Sequence, residues 1–238
     1  MKIGNREIGY GHPTFIIAEC CSNIVRHISN ANEYALRVWA DEVKRAGADA
    51  LKVQLYRADH FPEAERDHKR RTEFPRDLFP LLVEICRQWD MLCGASVFDD
   101  EAVDLCEASD ADFLKLATRE WDNQELLRKC LLSSKPVFRS YDISKKELLA
   151  LGQKVTYLAC VPQYPSVDPL VPGGNDQDWG WSSHTADWLD CLLAVSQGAC
   201  VVEKHFKLSD ADYEAGWSLD PAQFRQMVKD IRRVERMR

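Results

Sequence analysis

Ala46-Gly47-Ala48-Asp49-Ala50-Leu51-Lys52-Val53-Gln54 is the stretch whose reading decides the fold. Gly47 closes an amphipathic stretch, and a short apolar run begins just after it. Glycine in that place ends a helix and frees the chain to start a strand. Gly198-Ala199-Cys200-Val201-Val202-Glu203-Lys204-His205-Phe206 repeats the signature. Working outward, eight such runs appear, at residues 14–19, 49–54, 91–97, 112–117, 135–140, 155–161, 178–182 and 199–206. They are rich in Val, Ile, Leu, Phe and Cys and alternate little, as strands buried on both faces of a parallel sheet do. The stretches between them predict helices over 32–46, 77–89, 100–108, 123–132, 145–151, 186–198 and 221–237. Strand–helix alternation repeated eight times predicts an α/β fold closed into a single (β/α)₈ TIM barrel. Residues 2–9 read as a small β-hairpin with Asn5-Arg6 at its tip, a plug across the N-terminal mouth. The expectation is one domain over 1–238, with 1–13 as the hairpin segment and no second domain.

Composition excludes other classes. Apolar residues make up 45% and charged residues 29%, enough to fill a core and too much for a disordered chain. Lys and Arg number 31 against 38 Asp and Glu, a net charge of −7 that argues against a nucleic-acid partner. No apolar run reaches the roughly 18 residues of a membrane span. The start, Met1-Lys2-Ile3-Gly4-Asn5-Arg6-Glu7, carries no apolar leader. The nine cysteines are odd in number and contain no Cys-x-x-Cys pair. They read as buried reduced thiols, which points to a reducing compartment, the cytoplasm.

In such barrels chemistry sits at the C-terminal ends of the strands. In order, those positions hold Glu19, Ser22 and Asn23; Lys52 and Gln54; Ser96 and Asp99; Lys115 and Thr118; Arg139 and Ser140; Gln163 and Tyr164; Ser182, Ser183 and His184; Glu203, Lys204 and His205. Lys52 and Lys115 are embedded in apolar strands, where an ammonium is costly unless it meets an anion. They predict an anion pocket, or pairing with a carboxylate such as Glu19. His184 and His205, on adjacent strand ends, suit one divalent metal, or else hydrogen bonds of a core. His12, His27, His60 and His68 sit in polar stretches and read as solvated.

These residues, taken together, resemble the sialic acid synthase family, the N-acetylneuraminate synthase type of nonulosonate synthases. The likeness rests on Phe15-Ile16-Ile17-Ala18-Glu19 with Asn23, and on residues 46–54 as quoted. Ser96-Val97-Phe98-Asp99, Phe113-Leu114-Lys115-Leu116-Ala117 and Gln163-Tyr164-Pro165 follow in order. Trp181-Ser182-Ser183-His184-Thr185, Val202-Glu203-Lys204-His205-Phe206 and Ser218-Leu219-Asp220-Pro221 complete it. The resemblance implies a transferase that condenses phosphoenolpyruvate with an amino-sugar aldehyde, forms a 2-keto acid and releases phosphate. It implies His184 and His205 as metal ligands, manganese before magnesium, cobalt or zinc. It makes Glu19, Lys52, Lys115 and Tyr164 the catalytic set. Asn23, Gln54, Ser96, Thr118, Ser140, Gln163, Ser182 and Glu203 become substrate-binding, in a chain compatible with a homodimer.

Departures from the family pattern concentrate on the acceptor side. Ser183 stands for an Asp, Ile24-Val25-Arg26 for His-Asn-Gly, Arg119 for a Gly and Tyr141-Asp142 for Thr-Gly. The family's C-terminal antifreeze-like domain has no counterpart in the sequence. The acceptor is therefore expected to differ from free N-acetylmannosamine. Three loops of the barrel itself are expected to recognise it, at 60–74, 164–178 and 209–217, with Trp179, Trp181 and Trp217 near the rim. Two other readings use the same side chains: a metal-dependent aldolase or isomerase of a phosphorylated sugar, and a barrel that binds a phosphorylated ligand or partner protein without turnover.

Overall fold

The computed structural model describes residues 1–28, 32–144, 154–172 and 178–237. A hairpin of β1 (Lys2–Ile3) and β2 (Arg6–Glu7) precedes the barrel. The barrel strands are β3 (Phe15–Glu19), β4 (Ala50–Leu55), β5 (Leu92–Val97), β6 (Phe113–Leu116), β7 (Val137–Asp142), β8 (Val155–Cys160), β9 (Trp179–Ser183) and β10 (Val201–His205). All pair in parallel, and β10 closes the ring against β3. Each predicted run matches a strand, with ends shifted by at most two residues.

Among the described residues, the helices are α1 (Cys21–Val25), α2 (Asn32–Ala46), α3 (Glu63–Thr72), α4 (Phe79–Gln88), α5 (Asp100–Ala108), α6 (Gln124–Leu132), α7 (Leu189–Ser196) and α8 (Pro221–Glu235). Local chemistry sets their ends. Asp99 caps α5 through the Ala102 amide at 2.8 Å, and Asn123 caps α6 through the Leu126 amide at 3.1 Å. Asp220 and Gln223 form a capping box at α8, with Pro221 in the first turn. Gly47 and Gly198 both take positive φ, 91° and 99°, which is how each ends its helix.

Four expectations are corrected. The hairpin tip is Gly4-Asn5, because Arg6 pairs with Ile3 and Gly4 supplies the positive φ of 58°. Residues 77–89 begin as a 3₁₀ turn (Arg76–Leu78) before α4. The segment 186–198 turns helical only at Leu189, since the Asp187 carboxylate takes the Leu189 amide at 3.0 Å. The charged stretch 63–72, read as a loop, forms α3. It has no apolar stripe, but its acids fall in the first turn and its bases in the last, as the helix dipole favours. The predicted helix 145–151 lies outside the described residues.

Inside the barrel the N-terminal half is apolar. Phe15, Phe113 and Phe138 pack there with ring centroids 5.2–6.3 Å apart, Phe113 edge-on to the other two, with Ile17, Ala50, Leu158 and Val201 around them. Ile3 and Ile8 of the hairpin segment close the same cluster, so the plug is where the sequence put it. Arg6 pairs with Asp49, whose other oxygen takes the Ile16 amide at 2.8 Å. Gly94 is required here: a Cβ would lie 2.4 Å from the Phe113 ring. With the N-terminal half filled, polar side chains from the strands collect at the C-terminal half. Among the described residues no helix is long and apolar enough to cross a membrane. All nine cysteines are buried and unbridged.

Candidate active site

A cavity of about 620 Å³ opens at the C-terminal mouth. Strand register builds its floor. Glu19 pairs with Lys52, Gln54 with Ser96 and Ser96 with Lys115, while Glu203 stands beside Ser182. Period-two alternation sends these side chains inward and sends Arg139 and Lys204 outward, between barrel and helices. Arg139 stacks over Trp121 at 4.1 Å. Lys204 meets Ser183 and the Thr185 carbonyl at 3.0 and 2.5 Å.

Glu203 is the hub. Lys115 donates to it at 3.0 Å and Ser182 at 3.1 Å, and the Lys52 ammonium lies 3.7 Å away. Lys52 also contacts Glu19 and donates to Ser96 at 2.7 Å. Two buried ammoniums and two buried carboxylates thus balance one another. Burial alone would raise the Glu203 carboxyl, but Lys115 and Lys52 outweigh it and hold it at about 2. Burial pushes Lys52 down to about 7, against the opposing pull of Glu203.

The two predicted histidines do meet, with ring centroids 5.6 Å apart. His184 Nδ1 lies 2.8 Å from the Val161 carbonyl, so that nitrogen carries the proton and Nε2 keeps its lone pair. Burial, then His205, push His184 down to about 3, and the ring is neutral. His205 Nδ1 is buried and makes no aligned hydrogen bond. The free Nε2 of His184, and the Nδ1 of His205 that lies 2.8 Å from Glu214 Oε2 without an aligned hydrogen bond, fit a divalent ion. Tyr164 covers the pair, 4.2 Å from His184 and 5.5 Å from Trp217.

Of the expected site residues, Glu19, Gln54, Ser96, Lys115, Thr118, Ser140, Tyr164, His184, Glu203 and His205 line the cavity. Ser140 Oγ is buried there without a partner. Lys52 and Ser182 lie just beneath the floor. Two placements correct the expectation. Asn23 is fully buried, and its amide is used up on the Phe206 carbonyl, Ser218 and the Glu214 amide at 2.9, 3.0 and 2.7 Å. Gln163 is exposed on the rim, outside the lining. Trp179 and Trp181 are core rather than rim, because alternation points them outward; Trp181 donates to Asp190 at 2.7 Å. His27 and His68 are not simply solvated. His27 packs on Trp39 and lies 2.8 Å from Asp212, and His68 joins the cavity wall beside Tyr213.

All three expected loops reach the mouth, with Phe61, His68 and Lys69 from the first, Tyr164 from the second, and Tyr213, Glu214 and Trp217 from the third. Gly173, Gly174, Asn175 and Asp176 lie outside the described residues. Cys21 and Glu214 also line or border this mouth, outside the expected site residues. In sequence Cys21 reads as one of the buried thiols and Glu214 falls in a loop matching no motif. Their signal is position, in the segments that follow the first and last barrel strands.

Comparison with known proteins agrees with this geometry. Residues 40–169 and 174–238 match the sequence profile of the NeuB family. An uncharacterized protein of Methanocaldococcus jannaschii is 30% identical, over all of this chain and 75% of its own length. The pseudaminic acid synthase of Campylobacter jejuni is 27% identical, over 99% of this chain and 77% of its own. The crystal structure of an N-acetylneuraminic acid synthetase from Leptospira borgpetersenii superposes with a TM-score of 0.88 at 24% identity. That likeness covers 100% of this chain and 89% of the other, and shows a shared fold.

Proposed function

The chain belongs to the NeuB family, and from that membership we propose that it condenses phosphoenolpyruvate with an amino-sugar-like aldehyde. The carrying observation is the charge-balanced Glu19–Lys52–Glu203–Lys115 floor beneath the His184–His205 pair at one barrel mouth. Lys115 lines the cavity and is the nearer ammonium for an incoming carboxylate or phosphate. Ser96, Thr118 and the unpartnered Ser140 hydroxyl offer neutral donors around it.

In the reaction, C3 of phosphoenolpyruvate bonds to the aldehyde carbon, and the aldehyde oxygen takes a proton to become a hydroxyl. Water adds to C2, and the C–O bond to phosphate breaks. The products are a 2-keto acid and inorganic phosphate. Glu19 lies at the floor and receives the proton of the attacking water, while Lys52 fixes its orientation from below. A divalent ion on His184 and His205 would supply Lewis-acid polarisation of the acceptor carbonyl. Tyr164, Trp217 and Tyr213 form the aromatic rim that orients the acceptor. Arg119 and Lys69 stack over Phe61 at 4.1 and 4.6 Å and put positive charge on the same wall.

The test is phosphate release from phosphoenolpyruvate with manganese, cobalt or zinc in turn, across a panel of sugar aldehydes that includes N-acetylmannosamine. Release that depends on an acceptor and matches 2-keto acid formation is expected, with N-acetylmannosamine a poorer acceptor than other panel members. Failure with every aldehyde would overturn the reading.

A further inference from the structure

We propose that Cys21 and Glu214 join His205 as ligands of the divalent metal, a thiolate–carboxylate–imidazole set beside His184. This inference deepens the reading above and rests on its metal.

Three observations carry it. First, ligand atoms of Cys21, His205 and Glu214 all lie within 4.8 Å of one another, the spread that a single ion can span. Second, His205 Nδ1 faces Glu214 Oε2 at 2.8 Å, yet neither atom makes an aligned hydrogen bond. Two ligands on one ion at about 2.1 Å each and at right angles lie about 3 Å apart, so the spacing is that of neighbours in a coordination sphere. His205 is only 4% exposed, and its buried Nδ1 meets the carboxylate oxygen side by side rather than along a hydrogen-bond axis, as two ligands of one ion do. Third, the chain builds the cluster at some cost. Cys21 holds φ +39°, a region that residues other than glycine adopt rarely. Its Sγ donates to the other Glu214 oxygen at 3.0 Å, and its amide donates to Glu19 at 2.8 Å.

The surroundings hold this arrangement in place. Asn23, two residues beyond Cys21, accepts the Glu214 amide at 2.7 Å and donates to Ser218 Oγ. Asp212 lies 2.8 Å from His27, which follows α1. The loop bearing Glu214 is therefore tied to the segment bearing Cys21. Supports of this kind fix the direction of metal ligands. On binding, Cys21 gives its thiol proton to solvent, and Glu214 enters as a carboxylate. A thiolate and imidazoles favour zinc, iron(II) or cobalt over magnesium and manganese.

Cobalt(II) is the probe. The full chain, stripped with chelator, is titrated with cobalt and followed by absorption. A thiolate-to-cobalt charge-transfer band in the near ultraviolet is expected, together with the visible bands of low-symmetry cobalt. Cys21→Ser should lose the near-ultraviolet band and keep the visible ones. Cys21→Gly, which relaxes the positive φ and so keeps the fold, should do the same. Glu214→Gln should weaken cobalt binding by at least about tenfold. Cobalt that binds through the histidines with no thiolate band, or with a band unchanged in both Cys21 variants, overturns this inference and leaves the bis-histidine site standing. Absence of cobalt binding, or binding unaffected by His205→Ala, overturns both.

Discussion

Glu203 shows how one residue joins stability to chemistry. It is buried and accepts from Lys115 and Ser182 while lying near Lys52. Glu203→Gln leaves Lys52 with Glu19 and takes the carboxylate from Lys115, and removing one partner of a buried pair is expected to cost about 3 kcal/mol. Urea unfolding at neutral pH measures it. The pH dependence has a definite sign. The folded carboxyl titrates at about 2, below its ordinary 4.5. Its stabilisation is complete above pH 4.5 and fades as the pH falls toward 2. Glu203→Gln should therefore flatten the acid limb of the stability curve in that window. An acid limb unchanged by the substitution would place the titration elsewhere. Lys115 tests the other side of the same contact. Lys115→Met should weaken phosphoenolpyruvate binding by about 2 kcal/mol, roughly 30-fold, through loss of a charge-assisted contact. Calorimetry showing equal affinity would remove Lys115 from the anion site.

At the level of elements, strand register and loop anchoring decide what reaches the mouth. β5 must let the Phe113 ring of β6 lie across it, and Gly94 leaves the room. Gly94→Ala should destabilise the fold by about 2 kcal/mol, as overpacking of a filled core does. Gly216→Ala, where an added Cβ meets nothing within 4 Å, is the neutral comparison. Thermal unfolding of the two variants distinguishes a packing effect from a generic glycine effect. Asn23 acts between elements, since it ties α1 to the loop after β10 through three hydrogen bonds. Asn23→Ala is expected to loosen Glu214 and to leave the Glu214 amide unpaired, at about 1–2 kcal/mol. Faster amide exchange at residues 212–218 would report the released loop, and exchange unchanged from the wild type would refute the clamp.

Across the whole molecule the two ends of the barrel do different work. The N-terminal end is sealed by Ile3 and Ile8 over a phenylalanine cluster, and the C-terminal end carries the charges. Ile3→Ala should cost about 2–4 kcal/mol of stability while leaving phosphoenolpyruvate affinity unchanged, because cavity effects stay local. Combined with Glu203→Gln, its stability loss should add, within about 0.5 kcal/mol, as distant sites do. A strong departure from additivity would mean that the plug and the mouth are coupled. The eight strands, the inward Lys52 and Lys115, the plug and the histidine pair were legible in the sequence alone. Apolar runs and glycine stops are local signals, and alternation along a strand fixes which side chains share a face. The resemblance covered the same positions, so motif and periodicity agreed. α3 was not legible, since its support is charge placement rather than an apolar stripe. Nor was the fate of Asn23, or of Trp179 and Trp181, because a polar or aromatic residue beside a motif has no local mark saying whether its partner is ligand or protein. Only closure of the barrel decided that. It brought β10 beside β3, and with it set Cys21 and Glu214 against His205, although 193 residues separate the thiol from the carboxylate along the chain. Contacts across that separation depend on ring closure and register, which are properties of the folded sheet and of no single segment.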